Sequence, residues 1–145
     1  MTPRQARRRF AAARVARLAT ADAAGRPHIV PVTFAVDGDV VYTAVDAKPK
    51  QSTALKRLAN VAANPAVALL VDHYADDWNE LWWVRADGTG RVVDPEDLEG
   101  VHALSLLADR YPRFAARGAV LAVDVRRWSG WASAAEIPLL PVDGD

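Results

Sequence analysis

Apolar and polar residues alternate with a period of two over most of the chain, and two stretches break into helical spacing. Thr2 and Pro3 read as the N-cap and first position of a short helix reaching to about residue 14. Residues 15–20 predict a strand, residues 22–26 with Gly25 a turn, residues 27–36 a second strand, and Asp37-Gly38-Asp39 a tight hairpin into a third strand over 40–45. The three form a predicted antiparallel meander. Pro49 ends that pattern, and the spacing of Leu55, Leu58 and Val61 or Ala62 predicts a helix from Ser52 or Thr53 to near Asn64-Pro65.

Residues 67–71 are continuously apolar and predict a strand; a polar loop over 74–77 leads to strands over 81–85 and 90–93. Gly88-Thr89-Gly90 reads as the hairpin or bulge between these two. It is too short for a dinucleotide fingerprint and has no β-α-β unit around it. Asp94 and Pro95 predict an N-cap and first helical position for a helix reaching Tyr111-Pro112, and residues 120–128 a last strand. Six or seven mostly antiparallel strands with helices inserted between them predict a mainly β fold, a small closed or partly closed barrel. We expect one domain over 1–145, with a loose tail at 141–145.

Composition narrows the function. No apolar run approaches the roughly 20 residues of a spanning helix. The absence of cysteine excludes disulfides, thiolate metal sites and thiol nucleophiles. Arg7-Arg8-Arg9-Phe10 followed by alanines resembles the start of a twin-arginine export signal, but Arg14 and Arg17 interrupt its apolar region, so a cytoplasmic protein is expected. The 18 basic and 18 acidic residues are unevenly placed: residues 1–60 carry 11 Lys/Arg against 4 Asp/Glu. All five tryptophans lie in the acidic remainder, which disfavours nucleic acid and fits a local anion site or complementary faces of two subunits.

That anion site is predicted at residues 48–57, where Lys48, Lys50, Lys56 and Arg57 surround a strand end and the first turn of a helix, with Ser52 and Thr53 adding hydroxyls. Unpaired N–H groups, the partial positive charge of the helix start and the cations together suit a phosphate. The alternative is an ordinary solvated helix face. His28, His73 and His102 fall on separate elements without ligand spacing, so no metal site is expected, and no serine sits in a Gly-x-Ser-x-Gly turn. Trp78, Trp82 and Trp83 form an aromatic cluster among Asp76, Asp77 and Glu80. On a regular strand Trp82 and Trp83 point to opposite faces, one to fill the barrel and one for an interface or a planar ligand.

Taken together, Arg17-Leu18-Ala19-Thr20, Gly25-Arg26-Pro27-His28 with Pro31, the Asp37-Gly38 hairpin, and the stretch from Lys48 to Asn64-Pro65-Ala66-Val67 resemble the split β-barrel flavin and deazaflavin oxidoreductases, the pyridoxamine 5'-phosphate oxidase-like superfamily. Asp72-His73-Tyr74, Asp77-Trp78 and Leu81-Trp82-Trp83-Val84-Arg85 are similar to an actinobacterial branch of F420-dependent enzymes. The resemblance implies a homodimer with cofactor sites at the subunit interface. Lys48, Lys50, Lys56, Arg57 and Asn60 become phosphate and ribityl-side contacts, the ring lies near Pro31, Val32, Thr33, Tyr42, Thr43 and Ala44, and Trp78 or Trp82 of a partner covers it.

The implied chemistry is hydride transfer to or from a small organic substrate, with His28, Tyr42 or solvent as proton source. The vitamin B6 oxidases of the superfamily carry Arg-x-x-Leu-Lys where this chain has Val41 through Val45, so F420 is expected ahead of FMN. An FMN enzyme of the same fold and a non-catalytic carrier of F420 or a tetrapyrrole are the alternatives.

Overall fold

The structure, a computed structural model, describes residues 1–45, 52–114 and 118–134, the side chains of 52–54 excepted. In chain order the elements are α1 (Pro3–Ala12), β1 (Ala16–Ala21), β2 (Pro27–Val32), β3 (Ala35–Asp37), β4 (Val40–Ala44), α2 (Ser52–Ala63), β5 (Ala66–His73), a 3-10 turn (Trp78–Glu80), β6 (Trp82–Val93), α3 (Leu98–Arg110) and β7 (Val120–Ala132). The seven strands form one antiparallel sheet in the order β2-β1-β5-β6-β7-β4-β3. It curls into a half-barrel: β2 and β3 are its opposite edges, yet Val32 and Ala35 are only three residues apart, a reach of about 11 Å at most.

Inward-facing positions carry the core. Val67, Leu69 and Val71 of β5, Leu18 of β1, Val84 and Ala86 of β6 and Leu121 and Val123 of β7 meet Phe10 of α1, which lies across the mouth of the curl. Phe10 packs against Phe34 at 4.8 Å and edge-on against Trp128 at 5.3 Å. Full burial of each such side chain is worth about 1.5–3 kcal/mol. The start of α1 follows the reading from Thr2 and Pro3: Thr2 and Gln5 form a reciprocal capping box. At its other end Arg110 donates to the carbonyls of Ala11 and Ala13, where a helix leaves acceptors unpaired.

Four expectations are corrected. The opening is two hairpins on opposite sheet edges rather than a three-stranded meander, because the second strand ends at Val32. Phe34 turns into the core there, and the Tyr111 hydroxyl accepts from its N–H at 3.2 Å and donates to its carbonyl at 2.9 Å, replacing ladder bonds. The strands expected at 81–85 and 90–93 are one continuous β6, since the ladder runs on through Gly88, opposite a bulge in β7, and does not turn there as a hairpin. A Cβ on Gly88 would lie 2.3 Å from the carbonyl oxygen of Asp124, so only glycine allows the two strands to pass.

The third correction is α3, which begins at Leu98 instead of 94–95. Asp94 accepts from the Glu96 N–H at 2.8 Å and its carbonyl from the Asp97 N–H, making a turn whose backbone fills the space beside Gly100. Finally β7 extends past Trp128 to Ala132, pairing with the start of β6.

Gly88→Ala is expected to destabilise the fold by about 1–3 kcal/mol, the cost of forcing apart packed backbone. A urea unfolding curve with unchanged slope and a lowered midpoint is the readout.

Candidate functional site

Three places hold the candidate residues. The first lies where α2 crosses β1. Asn60 is buried and donates to the buried Thr20 hydroxyl at 3.1 Å, and Thr20 is the register partner of His28 on β2. Arg57, one turn earlier on α2, is half-buried, and its Nε is enclosed without a hydrogen-bond partner among the described residues; the same holds for Nδ1 of His28. Desolvation lowers the Arg57 pKa, although a guanidinium stays charged at any ordinary pH. Lys56 beside it is exposed. Lys48 and Lys50 lie outside the described residues.

The second place is the sheet face beneath α3. Tyr42 is buried and donates its hydroxyl to Glu99 at 2.9 Å. Glu99 takes both terminal nitrogens of Arg91, at 2.6 and 2.7 Å, and Arg91 also holds Asp124 at 2.8 and 3.2 Å. Burial first, then the bond to Glu99, pushes the Tyr42 pKa up to about 12, so the phenol is a fixed donor to α3. Arg91 is the main cause of a lowered Glu99 pKa. Thr43 is buried beside Tyr42, Ala44 is half-buried and Val32 lies in the core. Of the residues named for the ring, Pro31 and Thr33 are the exposed ones.

The third place was not read from the sequence. On the outer face of β1, β2, β5, β6 and β7, where α3 does not reach, there is a groove of about 620 Å³. Arg17, Leu70, Arg85, Trp83 and Trp131 line it, with Ala19 and Ala68 on its floor. Trp83 points outward and Trp82 inward, as strand alternation requires. Trp82 packs on the core edge between Arg9, whose guanidinium lies 4.9 Å from the ring centre, and the His73 ring at 6.3 Å. Trp78 on the 3-10 turn is largely exposed. The sequence signal for the groove was the unbroken apolar run of β5, whose outward residues Ala68 and Leu70 a solvated strand would not carry.

The structure thus groups Arg57, Asn60 and His28 at one end of the sheet and ties Tyr42 into α3. It sets Trp82 at the groove's edge and Trp78 on the surface. Among the described residues no cluster of His, Asp and Glu could hold a metal ion. No helix is long and apolar enough to cross a membrane.

Comparison with known proteins places the chain. The pyridoxamine 5'-phosphate oxidase family model matches residues 2–132, and the chain belongs to that family. No curated protein matches it in sequence. Among solved structures it is similar to a conserved hypothetical protein from Mycobacterium tuberculosis (20% identity, 99% of this chain and 93% of that one, TM-score 0.73). It is also similar to a FAD-binding protein from Mesorhizobium loti (24%, 90% and 94%, 0.68) and to the heme storage protein of Vibrio cholerae (14%, 91% and 95%, 0.67). At these identities the structures share the split-barrel fold with this chain.

The Tyr42-Glu99-Arg91 network carries a pH signature. A carboxylate whose folded pKa lies below its ordinary 4.5 contributes stability that is present above that pH and is lost as pH falls through the folded value. Glu99→Gln is therefore expected to lower stability by about 1 kcal/mol at pH 7, a modest figure because the side chain is partly solvated. The gap to the wild type should close below pH 4.5 in urea titrations run across pH.

Proposed function

We propose that this member of the pyridoxamine 5'-phosphate oxidase family is an oxidoreductase that holds a flavin-type cofactor by its phosphate and transfers hydride between it and a small organic substrate. The observation that carries this reading is Arg57, a half-buried, desolvated guanidinium midway along α2 whose Nε has no partner among the described residues. Burying a charged donor without a partner costs more than leaving it in water, and an anion held beside Arg57 removes that cost. The residues present fit a phosphate: Arg57 and Lys56 on the helix, with Lys48 and Lys50 from the preceding segment. Asn60 is already engaged with Thr20, and so its part is to fix the face of α2 that presents Arg57.

The cofactor, when bound, supplies the hydride chemistry, and the protein supplies position and electrostatics. Pro31 and Thr33 at the open edge of the sheet, with Ala44 at the end of β4, are the ring-side contacts of this reading. Tyr42 is not among them, since its hydroxyl is held by Glu99 and its backbone lies in the ladder between Ala35 and Ala122. F420 is preferred over FMN because β4 carries Val41 to Val45 in place of the basic pattern of the vitamin B6 oxidases. We further propose a homodimer with the cofactor at the interface and Trp78 reaching across it, as the exposure of this indole allows. The expected site of action is the cytoplasm.

A second reading, a carrier that binds F420 or a tetrapyrrole without turnover, draws on the wide aromatic groove with His73 at its end. Tight binding with no substrate reduction by pre-reduced cofactor would favour it.

Titration with F420 and with FMN, followed by cofactor fluorescence, tests the proposal; failure to bind either below about 100 micromolar would count against it. Lys50→Ala combined with Arg57→Ala is expected to cost about 2–4 kcal/mol of cofactor binding with folding intact. Unchanged affinity would remove both residues from the site.

A further inference from the structure

The β3–β4 hairpin pairs from Asp37 and Val40 to Ala35 and Tyr42 and then stops, although both segments run on. One more step of the register would set Phe34 opposite Thr43, and the next would set Thr33 opposite Ala44. Phe34 does not take that place. Its side chain is fully buried against Phe10, and both of its backbone groups go to one phenol. The Tyr111 hydroxyl accepts from the Phe34 N–H at 3.2 Å, and its single hydrogen lies between the carbonyls of Phe34 at 2.9 Å and Arg14 at 3.0 Å. The guanidinium of the adjacent Arg110 lies 5.0 Å from the centre of the Phe34 ring, so the end of α3 holds both the backbone and the ring of Phe34.

The missing step leaves a slot. Past Tyr42, β4 is paired on one side only, Thr43 with Leu121 and Ala44 with Val120 of β7. Consecutive strand residues present their N–H and C=O groups to opposite sides, so one of Thr43 and Ala44 presents both to the space that Phe34 leaves. Across that space Thr33 is exposed, and its backbone makes no hydrogen bond among the described residues.

Both walls of the slot are tied to α3. Tyr111, the C-cap of that helix, fixes the wall at Phe34, and Glu99 in its first turn takes the Tyr42 hydroxyl at 2.9 Å, two residues before Ala44. We infer that Tyr111 is a positioning residue: its hydroxyl keeps Phe34 out of the β3–β4 ladder and so holds open the slot in which the polar edge of the cofactor ring meets the backbone at Thr33 and Ala44. The inference rests on the cofactor reading above, which names these two as ring-side contacts. The pyrimidine edge of a flavin or deazaflavin alternates carbonyl acceptors with an N–H donor, and such an edge is matched by unpaired backbone groups. Without the phenol oxygen, the buried N–H and C=O of Phe34 lose their partner. The backbone that the register sets opposite them is that of Thr43, and pairing with it closes the slot.

The test titrates FMN against riboflavin, and F420 against its phosphate-free deazaflavin chromophore, into the wild type, Tyr111→Phe and Arg57→Ala. Tyr111→Phe is expected to weaken the phosphate-bearing and phosphate-free members of a pair equally, by about three- to tenfold, and to shift the absorption maximum of the bound ring. Arg57→Ala should weaken only the phosphate-bearing member. In NMR spectra of ligand-free Tyr111→Phe, a cross-strand Hα–Hα contact between Phe34 and Thr43 or between Thr33 and Ala44 should appear that the wild type lacks. If that variant does not fold, amide exchange in the wild type decides: Phe34 is slow throughout, and Thr33 is fast in the free protein and slowed by FMN or F420. A Thr33 amide that the bound ligand leaves fast overturns the inference. So do unchanged affinity and absorption in folded Tyr111→Phe, or a loss confined to the phosphate-bearing ligands. The two readings fail separately: no binding of any of these ligands to the wild type overturns the cofactor reading and this inference with it, whereas binding that Tyr111→Phe leaves unchanged overturns the inference alone.

Discussion

The arrangement of this protein turns on one irregularity, the register shift where β6 and β7 pass at Asp87 and Gly88. Asp87 pairs with Arg127 and Gly88 with Val125, so Arg126 is left over. The extra residue reverses the phase of β7. Trp128 faces inward on one side of the shift, and Val125, Val123 and Leu121 face inward on the other. Without it, the even-numbered positions would continue inward, Asp124 would enter the core, and Val123 and Leu121 would leave it. The shift also sharpens the bend of the longest strand pair, which the curl of the sheet requires. Gly88 permits it because no side chain separates it from the Asp124 carbonyl.

The same shift divides the outer face in two. On one half, Val120 and Ala122 now point outward and, with Val93 and Tyr42, form a second small core under Ala103 of α3. Asp124 points outward beside them, where it helps to hold Arg91, and Arg91 holds Glu99 of α3. The result is a helix fastened to the sheet by a bidentate ion pair at its first turn and by apolar contact along its length. On the other half no described element covers Leu70, Trp83 and Trp131, and the groove lies there.

Much of this was legible because strand alternation and turn chemistry are local. The α1 N-cap at Thr2, the Asp37-Gly38 hairpin with Gly38 at positive φ, and the opposite orientation of Trp82 and Trp83 all follow from a few adjacent residues. The misread elements depend on partners far away in sequence. Phe34 leaves its strand because the Tyr111 hydroxyl, 77 residues on, takes over its backbone bonds. Gly88 signals a turn by composition, and only the approach of Asp124 makes it a strand residue. Asp94-Pro95 has the residues of a helix start, yet the Asp94 side chain closes a turn first. The groove escaped for a related reason, since its arginines and tryptophans come from β1, β6 and β7 and meet only once the sheet order is known.

The basic excess of the first sixty residues takes on a sharper meaning in this light. Several of its arginines are occupied with holding α1 to the barrel. Arg7 approaches Asp39 at 3.7 Å, Arg9 lies over Trp82, and Arg14 donates to the Arg110 carbonyl at 2.9 Å while its guanidinium lies by the Tyr111 ring. Such contacts explain positive charge without any ligand. Arg57 has an enclosed Nε without a partner among the described residues, as has one terminal nitrogen of Arg9, whereas Arg17 is exposed to water. Arg17 and Arg57 sit on opposite faces of the same half of the sheet, Arg17 outward on β1 and Arg57 on the helix that packs beside Thr20. Part of the charge asymmetry along the chain is therefore a structural set clustered at α1, and Arg57 is a separate cation whose partial desolvation an anion would relieve.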